Sequence, residues 1–166
     1  MQTGAEIRWL SGGDVYSAWE LETAGYPPEE AASLEILQYR QREAGELFPG
    51  YYINTKLIGF VCGTRSFADH LTDASMKVHE AGGPTVCIHS VCVDVTWRRK
   101  GIALSLLQHY VRDISQNQTD VHQICLLSHQ YLLPLYIKAG FSNIGLSSVV
   151  HGPDKWYECI LNMERC

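Results

Sequence analysis

The chain has 166 residues, 46% of them hydrophobic, and a formal net charge of -5 at pH 7. This size and composition predict one domain, residues 1–166, with a full hydrophobic core. Three consecutive cations at 98–100 in an acidic chain do not form the extended basic face of a nucleic-acid-binding protein. No apolar run approaches the roughly 20 residues that cross a bilayer. Since the N-terminus also lacks the pattern of a secretion signal, we expect a cytoplasmic protein with no membrane partner.

The first half of the chain predicts helices followed by a β-hairpin. The elements in chain order are a strand at 7–9, a helix from the cap candidates at 11–14 to Ala24, a helix with Pro28 in its first turn, a hairpin of 51–53 and 57–62, and a polar loop at 65–83. The hairpin turn is not of the Asn-Gly type that most strongly signals a two-residue turn. The loop is expected to contain a short helix.

The second half alternates strands and helices. The elements are a buried strand at 86–95, a helix at 101–115, a strand at 123–128, a helix at 131–139 that ends at Gly140, and strands at 141–146 and 157–161. The helix at 101–115 is expected to bury Ala103, Leu107, Tyr110, Val111 and Ile114. A hairpin followed by this alternation predicts an α/β (α+β) domain with three layers around a mixed, mostly antiparallel sheet.

A basic glycine turn separates the strand at 86–95 from the helix that follows. Arg98, Arg99, Lys100 and Gly101 precede the first turn of this helix. The free N–H groups of such a turn and the positive end of the helix dipole favour an anion at one point. The turn therefore predicts a phosphate or pyrophosphate site and a nucleotide-like cofactor, although an ordinary solvated turn would have the same composition.

The six cysteines do not form a Cys-x-x-Cys pair. Most of them lie in apolar runs, where a thiol behaves as a small hydrophobic group, so we expect reduced core thiols. A zinc site of Cys87, His89 and Cys92 is the alternative. Strand alternation disfavours it, because Cys92 would lie on the opposite face of the strand.

Two segments resemble motifs of the GNAT superfamily of N-acetyltransferases. Residues 98–103, Arg-Arg-Lys-Gly-Ile-Ala, are similar to its acetyl-CoA motif Arg/Gln-x-x-Gly-x-Gly/Ala, and residues 133–141 are similar to its Tyr-x-x-x-Gly-Phe helix. The two motifs occur in the correct order. Through segments at 57–64, 71–76 and 86–93, the chain more closely resembles the arylalkylamine (serotonin) N-acetyltransferase family of non-vertebrate type, and this resemblance covers residues 6–162.

The resemblance implies a GNAT-like three-layer α/β/α fold with a splayed central sheet, and acetyl-CoA as cosubstrate without a metal. The pyrophosphate would lie against the backbone of residues 99–104, and the pantetheine arm would lie along residues 91–93 like an added strand. The expected cofactor-binding residues are Val91, Cys92, Val93, Arg98, Arg99, Lys100, Gly101, Ile102, Ala103, Leu104 and Tyr136.

Acetyl transfer to an amine needs a base for the amine and a proton for the departing thiolate. Tyr136, in the Tyr-x-x-x-Gly-Phe match, is the candidate acid because a phenol is protonated at neutral pH. His89 is the candidate base because imidazole titrates near neutral pH. Alternation would place His89 on the same face as Cys87 and Val91. Vertebrate relatives carry His-x-His here, and Cys87 replaces the first histidine. A core tyrosine and a buried structural histidine are the alternatives.

The expected substrate is the primary amine of a small arylalkylamine such as serotonin, tryptamine or phenylethylamine, which would attack the thioester directly in a ternary complex. The expected substrate-binding residues are Glu22, Tyr26, Pro27, His89 and Ser128. Weaker candidates are Glu20, Glu29 and Glu30 as carboxylates, and Trp19, Leu127 and His129 as walls of the pocket.

Other functions remain open at this point. A polyamine or other small-amine N-acetyltransferase is the main alternative, and a protein or peptide N-acetyltransferase is weaker. A non-catalytic acyl-CoA-binding module is supported by the loss of the first histidine, and a metal-dependent enzyme is the weakest alternative. We expect a monomer or weak dimer. We expect no 14-3-3 regulation, since the chain lacks the basic, phosphorylatable flanks of the vertebrate relatives.

Overall fold

The fold is organised around one mixed β-sheet. The structure, a computed structural model, describes residues 1–165. Its seven strands are β1 (Ala5–Trp9), β2 (Pro49–Ile53), β3 (Lys56–Ser66), β4 (Thr85–Val93), β5 (Gln123–Ser128), β6 (Ser142–Leu146) and β7 (Tyr157–Asn162). They lie in the order β1-β2-β3-β4-β5-β7-β6. Within residues 1–165, β4 and β5 form the one parallel pair. The predicted mixed, mostly antiparallel sheet is confirmed.

Helices cover both faces of the sheet and complete three layers. The α-helices of the described chain are α1 (Val15–Gly25), α2 (Leu34–Glu43), α3 (Ile102–Asn117) and α4 (Leu133–Lys138). On one face, Ala18 of α1 and Leu37 of α2 are buried with Phe60 of β3. On the other, Leu106 and Tyr110 of α3 belong to a second, larger core cluster. Among residues 1–165, none of the helices has the length and hydropathy needed to span a bilayer.

The second helix begins later than the sequence predicted. Pro28 lies in a turn, and α2 starts only at Leu34. Ser33 is the N-cap, and its hydroxyl accepts a hydrogen bond from the Ile36 N–H at 3.2 Å. The turn before it is closed by the Glu30 N–H, which donates to the Pro27 carbonyl. A side-chain cap at Ser33 therefore defines the helix start, and the segment 26–33 is left free to line a cavity.

The buried face of α3 differs slightly from the predicted one. Leu107, Tyr110 and Ile114 are buried as expected, but the other buried positions are Ile102 and Leu106. Ala103 and Val111 are only half-buried. Since Ile102 and Leu106 are four residues apart, they lie on the same stripe, and Ala103 is at its edge beside a groove.

Strand β4 contains a bulge at His89 and then separates from β5. Cys62 of β3 pairs with Ser90 while Gly63 pairs with Ile88, so His89 is the extra residue. The parallel pairing of β4 with β5 ends at Ile88 and Leu126. The last five residues of β4 are therefore not paired with β5, which is the splay that the resemblance implied.

The bulge reverses the alternation of side chains along β4. Val86 and Ile88 pack in the core beneath α3, and beyond the bulge Val91 and Val93 pack against that same core. The expectation that Val91 shares a face with Cys87 and His89 is therefore wrong. The expected position of Cys92 is also wrong, since its side chain belongs to the core beneath α1 and α2. A one-residue insertion moves every later side chain to the other face.

The turn between β2 and β3 predicts a stabilising substitution. Asn54 and Thr55 have φ of 48° and 73°, the left-handed values of a type I′ hairpin turn, and Thr55 is β-branched. Thr55→Gly should raise the free energy of unfolding by about 1 kcal/mol because glycine adopts this conformation without strain. Urea unfolding checks this, and Thr55→Ala, which keeps the Cβ, should give a smaller gain. Equal or lower stability of the glycine variant would contradict it.

Candidate active site

A groove opens where β4 separates from β5. It has a volume of about 470 Å³, and we call it the splay groove. The described residues that line it are Gly25, Tyr26, Pro27, Val91, Cys92, Val93, Arg98, Arg99, Ala103, His129, Tyr131, Leu132, Leu135, Tyr136 and Asp154. The segment after α1, the free end of β4 and helix α4 thus form its walls.

Two side chains form hydrogen bonds with backbone groups of β4 beside the splay groove. The Val91 N–H donates to the Tyr26 hydroxyl, and this hydroxyl donates to the Val91 carbonyl, both at 3.1 Å. The Arg98 Nε donates to the Val93 carbonyl at 3.2 Å. These groups would otherwise pair with a neighbouring strand. An extended amide ligand in the groove could bond them in the same way once Tyr26 and Arg98 move aside.

The basic turn forms a smaller pocket at the end of the splay groove. This turn pocket, of about 190 Å³, is lined by Val93, Trp97, Arg98, Arg99, Gly101, Ile102, Ala103, Leu104 and Leu135. Arg99 and Gly101 have φ of 62° and 78°, and Gly101 is the N-cap of the 16-residue helix α3. Alternating left-handed residues at a helix N-terminus turn N–H groups inward and favour an anion.

The structure brings together all of the predicted cofactor residues except Lys100. Each of the others lines the splay groove or the turn pocket. Lys100 is exposed, and its carbonyl accepts a hydrogen bond from the Gln2 side chain at 3.3 Å. Its charge therefore lies near the turn pocket without its side chain forming a wall.

Two cavities lie on the other side of Tyr26 and Tyr136. The small cavity, of about 50 Å³, is lined by Tyr26, Glu30, Leu71, Met76, Ile88, His89, Ser90, Val91, Leu126, Leu127, Ser128, His129, Leu132, Tyr136, His151 and Trp156. The large cavity, of about 420 Å³, adjoins it and shares Glu30, Met76, His89, Ser90 and His151. Five residues line both the small cavity and the splay groove: Tyr26, Val91, His129, Leu132 and Tyr136. They form the boundary between the two.

One ring nitrogen of His89 forms a hydrogen bond, and the other has no hydrogen-bond partner among the described residues. Its Nε2 lies 2.7 Å from the Thr64 hydroxyl, which itself donates to the Ser75 carbonyl at 3.0 Å. A hydroxyl has one proton to donate, so Nε2 must carry the proton that it gives to Thr64. Nδ1 is then the unprotonated nitrogen, and it is buried without a hydrogen-bond partner among residues 1–165.

Burial, with the nearby charges of Arg40 and His151, holds the pKa of His89 well below its ordinary value of 6.5. The imidazole is therefore neutral at pH 7, with a lone pair on Nδ1. A neutral imidazole with a fixed tautomer and a free nitrogen has the properties of a general base.

Tyr136 lies on α4, between the small cavity and the splay groove. Its side chain is buried, and its ring packs edge-on against Phe141 with centroids 6.2 Å apart. Burial, followed by the nearby Cys159 thiol, raises the pKa of Tyr136 well above its ordinary value of 10. The phenol therefore keeps its proton at neutral pH and can donate it to an atom in the groove.

The predicted substrate residues have different positions. Tyr26 and Ser128 line the small cavity, whereas Pro27 lines the splay groove. Glu22 lines the large cavity, but its Oε2 already accepts from the Ala32 N–H at 2.9 Å, and its Oε1 accepts from the Cys92 thiol at 3.7 Å. Trp19 does not line these cavities; it packs on the core of α1 beside Tyr16.

Several residues at the site had no strong sequence signal. Thr64 contacts His89 only because the register of β3 and β4 brings them together. His151 and Trp156 lie in the long connection between β6 and β7 and reach the small cavity. The aromatic residues of this connection were the one available hint, since a polar loop rarely needs a buried tryptophan.

The cysteines of the described residues are free and buried: Cys62, Cys87, Cys92, Cys125 and Cys159. Cys166 lies outside the described residues. The Cys87 sulfur is 3.6 Å from that of Cys125, whereas Cys92 faces Glu22. The proposed zinc ligands therefore have separate partners. In the described chain, the group of side chains that could converge on a metal is Glu30, His129 and Asp154.

The fold and the groove identify a class of protein. The loading GNATL domain of CurA from Lyngbya majuscula is similar with a TM-score of 0.84 at 12% identity, over 95% of this chain and 97% of that one. The GphF GNAT-like decarboxylase in complex with isobutyryl-CoA has a TM-score of 0.81 at 15% identity, over 96% and 100%. At these identities the likeness establishes a GNAT fold.

Sequence comparison gives the family. The family model described as "Acetyltransferase (GNAT) domain" matches residues 22–154, and the chain belongs to this family of acetyltransferases. It is also similar to the serotonin N-acetyltransferase of Mesocricetus auratus, with 27% identity over 151 residues, which cover 89% of this chain and 72% of that protein. The enzyme of the same name from Macaca mulatta is 26% identical over 151 residues.

The buried Glu22 predicts a pH-dependent effect on stability. Burial raises the pKa of its carboxyl above the ordinary 4.5, so the folded state holds this proton at pH values where the unfolded chain has lost it. The stability that the proton contributes is complete below pH 4.5 and decreases as pH rises through the folded pKa. Glu22→Gln should therefore equal the parent near pH 4 and exceed it at pH 7.

Urea unfolding at pH 4, 5.5 and 7 checks this. Glu20→Gln, at an exposed position of the same helix, is the control and should match the parent at each pH. A stability difference for Glu22→Gln that does not change with pH would contradict the raised pKa.

Proposed function

We propose that this protein is an acetyl-CoA-dependent N-acetyltransferase that acts on the primary amine of a small arylalkylamine. One observation carries the proposal. The splay groove and the small cavity share Tyr26, Val91 and Tyr136, and the small cavity is also lined by His89, whose Nδ1 has no hydrogen-bond partner among residues 1–165. A thioester in the groove and an amine in the cavity would come together there. Likeness to serotonin N-acetyltransferases supports the amine class.

The splay groove fits the cosubstrate. The turn pocket, with Arg98, Arg99 and the N–H groups before α3, would hold the pyrophosphate. The peptide groups of Val91 and Val93 would bond the amides of the pantetheine arm in place of Tyr26 and Arg98. Acetyl-CoA supplies an activated acetyl group and a thiol leaving group. The chain's own part is to hold the thioester against the small cavity and exclude water.

His89 is proposed to remove the amine proton. The amine nitrogen attacks the thioester carbonyl carbon, the new C–N bond forms, and the C–S bond breaks. The proton that nitrogen loses passes to Nδ1 of His89, directly or through one water, while Thr64 keeps the ring in the Nε2–H tautomer. Since Nδ1 has no other partner among the described residues, it is available for this transfer.

Tyr136 is proposed to protonate the departing sulfur. The thiolate of coenzyme A takes the phenolic proton, and the phenolate regains one from solvent or from the protonated base. A phenol whose pKa is raised by burial is a weak acid in isolation, but a thiolate that leaves in an apolar groove is correspondingly basic. The product amide and free thiol balance the reaction.

Aromatic and apolar walls favour an arylalkylamine over a polyamine. The small cavity contains Trp156, Tyr26 and several leucines beside a single carboxylate, that of Glu30, among its described lining residues. A polyamine needs several carboxylates to pair with its spaced charges. Apart from the Glu30 carboxylate that it shares with the small cavity, the large cavity has Glu22 and Asp73 but also Arg40 and Lys77, so it offers no further net negative charge for a second ammonium group.

Initial rates with tryptamine, phenylethylamine and spermidine test the proposal. We expect acetyl-CoA-dependent acetylation of the two arylalkylamines with kcat/KM at least about 10-fold above that for spermidine, since one ring buried across the adjoining small and large cavities contributes more than about 1.4 kcal/mol. Preference for spermidine would favour the polyamine alternative. Binding of acetyl-CoA without turnover of any amine would favour the non-catalytic module.

His89→Gln should lower kcat by about 100-fold, the usual effect of removing a general base. In the parent, kcat should decrease with acid only below pH 6.5, because the pKa of His89 is depressed and the imidazole must be neutral to act. The Gln variant should lack this acid limb. The pH profile of kcat with tryptamine measures both effects.

Tyr136→Phe is the matched comparison. It should also lower kcat but keep the acid limb at the same pH, since it leaves the base unchanged. Both variants should retain acetyl-CoA affinity. An unaltered acid limb in His89→Gln would assign the base elsewhere.

A further inference from the structure

We infer that Glu30 binds the ammonium group of the substrate and is the residue that selects a cationic amine. This inference rests on the proposed function and identifies how the same site recognises its substrate. Its structural basis is the buried Glu30 carboxylate, which lies in the wall that the small and large cavities share. One of its oxygens accepts a hydrogen bond, and the other has no partner among the described residues.

The Glu30 carboxylate is almost completely enclosed. Its side chain is 1% exposed, and Oε1 accepts a hydrogen bond from Nε2 of His129 at 2.8 Å. Oε2 is buried without a hydrogen-bond partner in the part of the chain that the structure describes. A buried carboxylate oxygen without a donor is costly, so such a group in a cavity wall indicates that a ligand supplies the donor.

The surrounding residues fix the orientation of Glu30. The His129 ring packs against Trp156 with centroids 4.2 Å apart, and its Nδ1 lies 3.8 Å from the exposed Asp154 carboxylate. His151 donates from Nε2 to the Glu30 carbonyl at 3.1 Å. Gly152 packs closely over the side chain, since a Cβ there would be 3.1 Å from the Glu30 Cγ. These contacts join the segment 26–33, the end of β5 and the β6–β7 connection around one carboxylate.

The charge in the small cavity suits a single cation. Among its described lining residues, Glu30 is the only carboxylate, and there is no lysine or arginine. His89 is neutral, because burial depresses its pKa, so it cannot attract an ammonium ion. Most of the remaining wall is aromatic and apolar, which suits the apolar part of an arylalkylamine next to its ammonium group.

The other carboxylates near the site are less suited to this task. Both oxygens of Glu22 are occupied, by the Ala32 N–H and the Cys92 thiol, and burial raises the pKa of Glu22. Asp73 lines only the large cavity, together with Arg40 and Lys77. Glu30 is therefore the carboxylate that combines an oxygen without a partner among the described residues with a place in the small cavity that His89 and Tyr136 also line.

A substrate held this way would reach the base in its charged form. An alkylamine is an ammonium ion at neutral pH, and its three N–H donors can bond Glu30 Oε2 and still present one proton toward His89. Glu30 holds the ion in place and stabilises its charge. His89 takes one proton from the ammonium ion and releases it to solvent, which leaves a neutral amine with the lone pair that attacks the thioester. The second proton, which the nitrogen loses as the amide forms, also passes to His89 and replaces the proton that Tyr136 gives to the sulfur. His129, which also lines the small cavity and the splay groove, is assigned as a positioning residue because its Nε2 donates to the Glu30 carboxylate.

Binding of tryptamine and of tryptophol, its uncharged alcohol counterpart, tests the inference by calorimetry with the full chain. The parent should bind tryptamine about 10- to 100-fold more tightly than tryptophol, the usual contribution of a hydrogen bond to a charged group. Glu30→Gln, which keeps the size and the bond with His129, should lose that preference by weakening tryptamine alone. Glu29→Gln, an exposed neighbour, should bind like the parent.

The outcomes separate failure of the Glu30 inference from failure of the proposed function. Acetyl-CoA affinity and the thermal transition of Glu30→Gln show whether it is folded. Should it fail to fold, the tryptamine-to-tryptophol ratio of the parent still decides, because equal affinities overturn the inference. Unchanged tryptamine affinity in a folded Glu30→Gln also overturns it. If the parent prefers tryptamine and Glu30→Gln does not, while neither transfers acetyl, the inference stands and the proposed function fails.

Discussion

The separation of β4 from β5 after Ile88 and Leu126 is the constraint on which the rest of the site depends. A strand that loses its neighbour must satisfy its peptide groups in another way, because buried N–H and C=O groups are costly when unpaired. At Val91 and Val93 the Tyr26 hydroxyl and the Arg98 guanidinium do this. Both groups belong to side chains, whose torsions can rotate, so a ligand with amide groups could replace them. A strand paired at this position would not permit such a replacement.

The bulge at His89 determines which face of the sheet each later side chain of β4 occupies. By reversing the alternation, it lets Val91 and Val93 pack on the α3 side while His89 contacts Thr64 and lines the small and large cavities. Burial lowers the pKa of His89 and raises the pKa of Tyr136, the two proton-transfer candidates. It keeps the imidazole of His89 neutral and the phenol of Tyr136 protonated. The base and the acid of the proposed reaction thus have their starting protonation states set by desolvation of the same region.

Much of this arrangement could be predicted from the sequence because it is local. The basic turn, Gly101 and the strand and helix that flank it are adjacent in the chain, and their periodicity is clear. The start of α2 was misjudged because the Ser33 cap competes with Pro28 as a start signal, and both are plausible in isolation. The bulge at His89 leaves no mark on the sequence, since it is a property of the register between two strands. Glu30 was one of the weaker carboxylate candidates, with Glu20 and Glu29, until its contacts with His129 and Gly152 distinguished it.

The sequence by itself determined the family, and it predicted the anion-binding turn and the two proton-transfer candidates, because those features are carried by short motifs with fixed spacing. Only the tertiary structure decided which nitrogen of His89 is free, which cavity-lining carboxylate has an oxygen without a partner among the described residues, and which residues line both the groove and the cavity. These depend on contacts between segments far apart in the chain, such as Glu30 with His129 and Thr64 with His89. Burial and partner geometry arise only when those segments pack, and they control the charge and hydrogen-bonding capacity of each group.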